Sequence, residues 1–90
     1  MFYEVRLYHK SKDVDLTGDT EKVIVHEEQL AHVLISASTH HQALSAAMAQ
    51  LRAELPDEAA QVNWYRMHVA RKDARVNAHA NTVVTEGGIP

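Results

Sequence analysis

The chain has no cysteine, which removes disulfides, thiolate metal sites and thiol nucleophiles together and fits a reducing compartment. Glycine is scarce: Gly18 stands alone and Gly87-Gly88 lies near the C-terminus. No glycine-rich loop is present to cradle a phosphate, and no G-x-S-x-G elbow to present a serine. No stretch approaches the roughly 18 apolar residues of a membrane span. The opening MFYEVRLYHK lacks the basic and apolar regions of a secretion signal. The expected location is cytoplasmic, in a bacterial or phage-infected cell. Ninety residues make one domain that buries about 60–65% of its unfolded surface, enough for one core without a deep cleft.

The clearest local signal runs from Leu30 to Leu55. Ala31–Ala37 has the β-type pattern, with Val33 and Ile35 on one face, and stops at Ser38. Thr39 and Gln42 then form a T-x-x-Q capping box, which predicts a helix starting near Thr39. Leu44, Ala47, Met48, Leu51 and Leu55 recur at three- and four-residue spacing, a stripe roughly 100° wide that faces a core. Pro56 restricts the residue before it and ends the helix at Glu54 or Leu55.

The rest is fitted around that unit. Phe2–His9 alternates, with Tyr3, Val5 and Leu7 one way and Glu4, Arg6 and Tyr8 the other, as in a half-buried antiparallel strand. Lys10–Thr20 is rich in Asp, Ser and Thr and reads as a loop. Glu21–His26 is dense in β-branched residues and reads as a strand. The turn then needed at Glu27–Gln29 contains no Gly, Asn or Asp. Residues 56–60 are a connection with room for one helical turn, and Val62–Ala70 is a strand. The expected fold is α+β: a small single-domain mixed sheet in the order β-β-β-α-β, one helix on one face, and the strands flanking the helix parallel through a right-handed crossover. Residues 1–72 form the compact domain. Residues 73–90 form a C-terminal arm, partly ordered or carrying an edge strand at Thr82–Thr85.

Seven histidines are the compositional oddity, and imidazole is a common metal ligand. Their spacing matches no metal motif: there is no H-E-x-x-H, and adjacent His40 and His41 point about 100° apart on a helix. The segment from Asp13 to Glu21 resembles the first half of an EF-hand loop, but Ile24 stands where the bidentate Glu is needed. Ser36, Ser38 and Ser45 lie near His40 and His41 without a nucleophile motif, so an enzyme is not expected, and neither metal nor cofactor is assigned.

Charge is uneven along the chain. From Ser11 to Ala60 nine acids face Lys12, Lys22 and Arg52, whereas Val62 to Ala80 carries Arg66, Arg71, Lys72 and Arg75 against Asp73. Trp64 and Tyr65 lie in that basic stretch, so Trp64, Tyr65, Arg66, Arg71, Lys72 and Arg75 form a candidate surface for a partner or a nucleic acid. The net charge of −3 argues against a nucleic-acid footprint. Ala46, Ala49 and Ala53, opposite the apolar stripe, form a candidate oligomer face, and a homodimer is expected through that helix back or through a sheet surface. With no catalytic motif or cofactor loop, the chain resembles the small accessory proteins of bacteriophages and mobile elements that bind a host protein. A protein–protein interaction module is the leading expectation. A nucleic-acid-binding accessory protein using residues 62–75 and a histidine-based metal or small-ligand binder are the alternatives. No membrane association is expected.

Overall fold

The computed structural model describes residues 1–16, 18, 20–70 and 85–89. They form β1 (Phe2–Asp15), β2 (Lys22–Ser36), α1 (His40–Glu54), α2 (Pro56–Gln61), β3 (Trp64–Ala70) and β4 (Thr85–Gly88). The strands make one sheet in the order β2-β1-β3-β4. Every pairing is antiparallel.

The α+β class and the four strands hold, with a correction to strand direction and to where the strands fall. β2 and β3, which flank the helices, run the same way, as a crossover requires. They are not neighbours, because β1 lies between them and pairs antiparallel with both. The sheet is therefore antiparallel where a mixed one was expected.

The N-terminal half is one long hairpin instead of three short strands. β1 continues through Lys10–Asp15, read from sequence as a loop, and β2 runs without a break through Glu27–Gln29, read as a turn. Without Gly, Asn or Asp at 27–29 the chain has no reason to reverse there. The reversal comes after β1 ends at Asp15 and before β2 begins at Lys22, and there Gly18 has a φ of 114°, a conformation that side chains with a Cβ avoid. The low strand propensity of Lys10–Asp15 is overridden by pairing: Lys12 faces Val25, Asp13 faces Ile24 and Val14 faces Val23.

The register slips once. Leu7 pairs with Ala31 but Tyr8 pairs with Gln29, which leaves Leu30 as the extra residue of a β-bulge. Leu30 and Ala31 both pack against the core.

The helix follows its sequence signals closely. Thr39 is the N-cap, and its Oγ1 accepts the Gln42 backbone N–H at 3.2 Å. The return bond is displaced by one residue, since Gln42 Oε1 accepts from the Ser38 N–H at 3.1 Å. Ala43, Ala47, Met48 and Leu51 are the buried residues of α1, with Leu44 at the edge of the core. Leu55, expected in the stripe, is 46% exposed, because the chain turns there into α2 with Pro56 at its start, the position where its missing N–H is harmless.

The core lies between α1 and one side of the sheet. Tyr3, Val5 and Leu7 of β1 are buried at its centre. They are flanked by Ile35, Val33 and Ala31 on β2 and by Val69, Met67 and Tyr65 on β3. Residues 71–72 of the expected compact domain, and 73–84 and 90 of the expected C-terminal arm, lie outside the described residues, while Thr85–Gly88 is the edge strand of the sheet beside β3. That strand shares Thr85 with the expected Thr82–Thr85, of which residues 82–84 are outside the described residues.

Candidate binding surface

No helix of the described chain covers the other side of the sheet, and alternation decides what it displays. Phe2, Glu4, Arg6 and Tyr8 of β1 stand between Leu34 and His32 of β2 and Ala70, His68, Arg66 and Trp64 of β3. Glu4 is the hub. Its Oε1 shares a hydrogen bond with His32 Nε2 at 2.6 Å and lies 2.7 Å from Arg6 Nη2, and its Oε2 lies 2.8 Å from His68 Nε2, as ion pairs. Partial burial pushes the carboxyl pKa up, but the bond from His32 and the charges of His68, Arg6 and His32 together outweigh it and hold Glu4 below its usual value.

Arg6 and Arg66 are directly opposite each other, a like-charge pair that opposes strand association. The side chains diverge to other partners. Arg6 turns to Glu4, while Arg66 reaches Glu27 at 2.6 Å and Glu86 at 2.9 Å and lies 5.0 Å over the Tyr8 ring. Hydrogen bonds to Glu86 and Tyr8, with Glu27 adding charge, drive the guanidinium pKa further up. Lys10 Nζ stands 3.9 Å over the Trp64 ring. Exposure to solvent keeps these pairs weak, and their main effect is to fix side chains relative to one another. The face is a neutralised lattice of charges.

The structure divides the basic and aromatic candidates. Trp64 and Arg66 share the open face, but Tyr65 points to the helix side and packs against the core. Arg71, Lys72 and Arg75 lie outside the described residues. The Arg66 cation is already matched by two carboxylates. Ala46, Ala49 and Ala53 are exposed on α1. Among the described residues no group of three or more His, Asp or Glu side chains is arranged to hold a metal ion. Around Glu4 the neighbour that completes the cluster is the Arg6 guanidinium, which would repel a cation. Asp13 and Asp15, expected in a loop, belong to β1, and Asp13 pairs with His26 at 2.8 Å.

The hairpin's outer half was not singled out from sequence. Beyond Tyr8 and Gln29 the two strands leave the body as a ribbon, Lys10–Asp15 beside Lys22–Glu27. Val14, Leu16, Val23 and Val25 there are each more than half exposed, and Ile24 is nearly so. Val14 faces Val23, and Val25 lies on the same side of the ribbon. From Lys10 to Glu28, Lys10, Lys12 and Lys22 stand against Asp13, Asp15, Asp19, Glu21, Glu27 and Glu28, a balance of −3. The ribbon's base is pinned. Asn63 Oδ1 accepts the Lys10 N–H and Asn63 Nδ2 donates to the Lys10 carbonyl, both at 2.8 Å, while the Asn63 N–H donates to the Tyr8 carbonyl at 3.0 Å. His9 Nδ1 donates to the Gln61 carbonyl at 2.8 Å.

No family model matches this chain, and neither a curated protein nor a solved structure shows significant similarity to it. The helices of the described residues include none long and apolar enough to cross a membrane.

Proposed function

We propose that the chain is a protein-binding module that acts by docking instead of catalysis, with the outer half of the β1–β2 ribbon as its docking element. The observation that carries this reading is the exposure of Val14, Leu16, Val23 and Val25 on a ribbon that no helix of the described residues covers. A two-stranded ribbon is marginally stable alone, and clustered exposed apolar side chains on a small protein mark an interaction site. The −3 balance of residues 10–28 selects the partner's chemistry: an apolar protein groove rimmed by Lys and Arg. The same charge opposes a phosphate backbone, which ranks this reading above nucleic-acid binding.

The test is capture from nuclease-treated bacterial lysate by the tagged chain and by a Val14→Asp/Val25→Asp variant, read by mass spectrometry. A protein retained by the first and lost by the folded variant is expected. Capture that is indifferent to the variant removes the ribbon from the reading. Direct binding of DNA or RNA at about 50 mM salt would favour the nucleic-acid alternative instead.

A further inference from the structure

We propose that the outer edge of β2, the end strand among the described residues, pairs with β2 of a second copy, antiparallel about a two-fold axis at Val25, joining two ribbons into a four-stranded plate. This stands apart from the docking reading, since it uses the backbone edge of β2 where docking uses the ribbon's side-chain face.

β2 is the outermost strand of the sheet, and its edge is long. Nothing in Lys22–Ser36 is a proline, so none of the alternate N–H groups directed away from β1 is missing from the edge. Exposed edges of this kind pair with other chains unless they are interrupted. The interruption here is the bulge at Leu30, which limits the regular edge to Lys22–Gln29, on the ribbon. Pairing is thus directed away from the body.

Charge then chooses the register. A two-fold axis perpendicular to the sheet keeps each residue on its own face, so it must pass through a residue facing its own copy. Centring on Glu27 or Glu28 sets a carboxylate against itself. Centring on His26 sets two imidazoles together and leaves Lys22 facing Leu30, the bulge residue, so that no opposite charges meet. Centring on Ile24 places Glu21 against Glu27 and Lys22 against His26. Centring on Val25 alone puts Lys22 opposite Glu28 twice, with Val25 on Val25, Ile24 opposite His26 and Val23 opposite Glu27, and uses only the regular stretch of edge. Opposite charges across strands support pairing where like charges oppose it. Val23 lies diagonal to Val25 of the other copy, so the apolar residues of both ribbons become contiguous.

Light scattering after gel filtration at tens of micromolar tests the pairing by charge reversal. The chain should run at twice its 10.1 kDa mass. Lys22→Glu and Glu28→Lys should each weaken the dimer at least tenfold by dilution, with circular dichroism unchanged. The double variant Lys22→Glu/Glu28→Lys should restore it, because each reversed charge again meets its opposite. A monomeric parent chain, a dimer indifferent to either reversal, or a double variant that remains weak overturns the proposal. Lysate capture that persists with a monomeric Lys22→Glu variant leaves docking standing while the dimer falls or holds on its own test.

Discussion

Replacing Leu7 by alanine should cost about 3–4 kcal/mol of folding stability. Leu7 is fully buried at the centre of β1, paired with Ala31 on one side and Tyr65 on the other. The substitution removes three carbon atoms, about 2.4 kcal/mol at roughly 0.8 kcal/mol for each buried methylene. The remainder is the cavity. β1 is held in ladders on both sides, so its backbone cannot move inward to close the gap, and Ala31 is too small to lean into it. A chain of this length has about 5–13 kcal/mol of stability in all, so the loss is a large fraction. Urea unfolding followed by circular dichroism would measure it, and the thermal midpoint should fall by about 12 °C or more. Leu34→Ala is the control: Leu34 faces the open side and is mostly exposed, and its loss should stay within about 0.5 kcal/mol. A Leu7→Ala loss under about 1 kcal/mol, or one no larger than that of Leu34→Ala, would refute the assignment of the odd-numbered β1 residues to the core.

Three further outcomes follow from the contacts. Because Glu4 is held below its ordinary value, its contribution to stability is present above the unfolded carboxyl pKa and is lost as pH falls through the folded one. Urea midpoints from pH 6 down to pH 3 should therefore fall less steeply in Glu4→Gln than in the parent, and identical slopes would show that the cluster does not form. Asn63→Ala removes two bonds to the Lys10 backbone and should cost about 1–2 kcal/mol while speeding hydrogen exchange at the Lys10 amide; unchanged exchange there would count against the pinned ribbon base. Gly18→Ala meets no atom within 4 Å, so its expected cost of about 1–2 kcal/mol is conformational, and a neutral result in thermal melts would mean the turn is not held at positive φ.

What the sequence discloses divides along local and non-local lines. Thr39, Gln42 and the stripe from Ala47 to Leu51 speak within single turns of helix, and they were legible to the residue. The hairpin was not, because Lys10–Asp15 has the composition of a loop and becomes strand only beside Val23, Ile24 and Val25. The missing turn chemistry at Glu27–Gln29 was the available signal that β2 continues. Of the candidate surface, the alternation of Glu4, Arg6 and Tyr8 and of Trp64, Arg66 and His68 was visible. Their convergence with His32 was not, since it depends on which strands pair and in which register. The same alternation separates Tyr65 from Trp64 and Arg66, which reading the segment as one basic patch overlooked.

The bulge at Leu30 reverses which side of the hairpin odd-numbered β2 residues reach. Val23, Val25, Val33 and Ile35 all carry odd numbers, and an unbroken strand would turn all four toward the helix. One unpaired residue inverts the phase, so Val33 and Ile35 stay in the core while Val23 and Val25 emerge on the opposite side of the ribbon. Leu30 thus behaves as a one-codon insertion that the ladder has absorbed. Deleting it would leave every existing β1–β2 partnership in place, whereas deleting Glu28 would oblige the strand to the turn side of it to re-pair or the bulge to move. Length changes in this hairpin are therefore tolerated at one codon and disruptive at its neighbours.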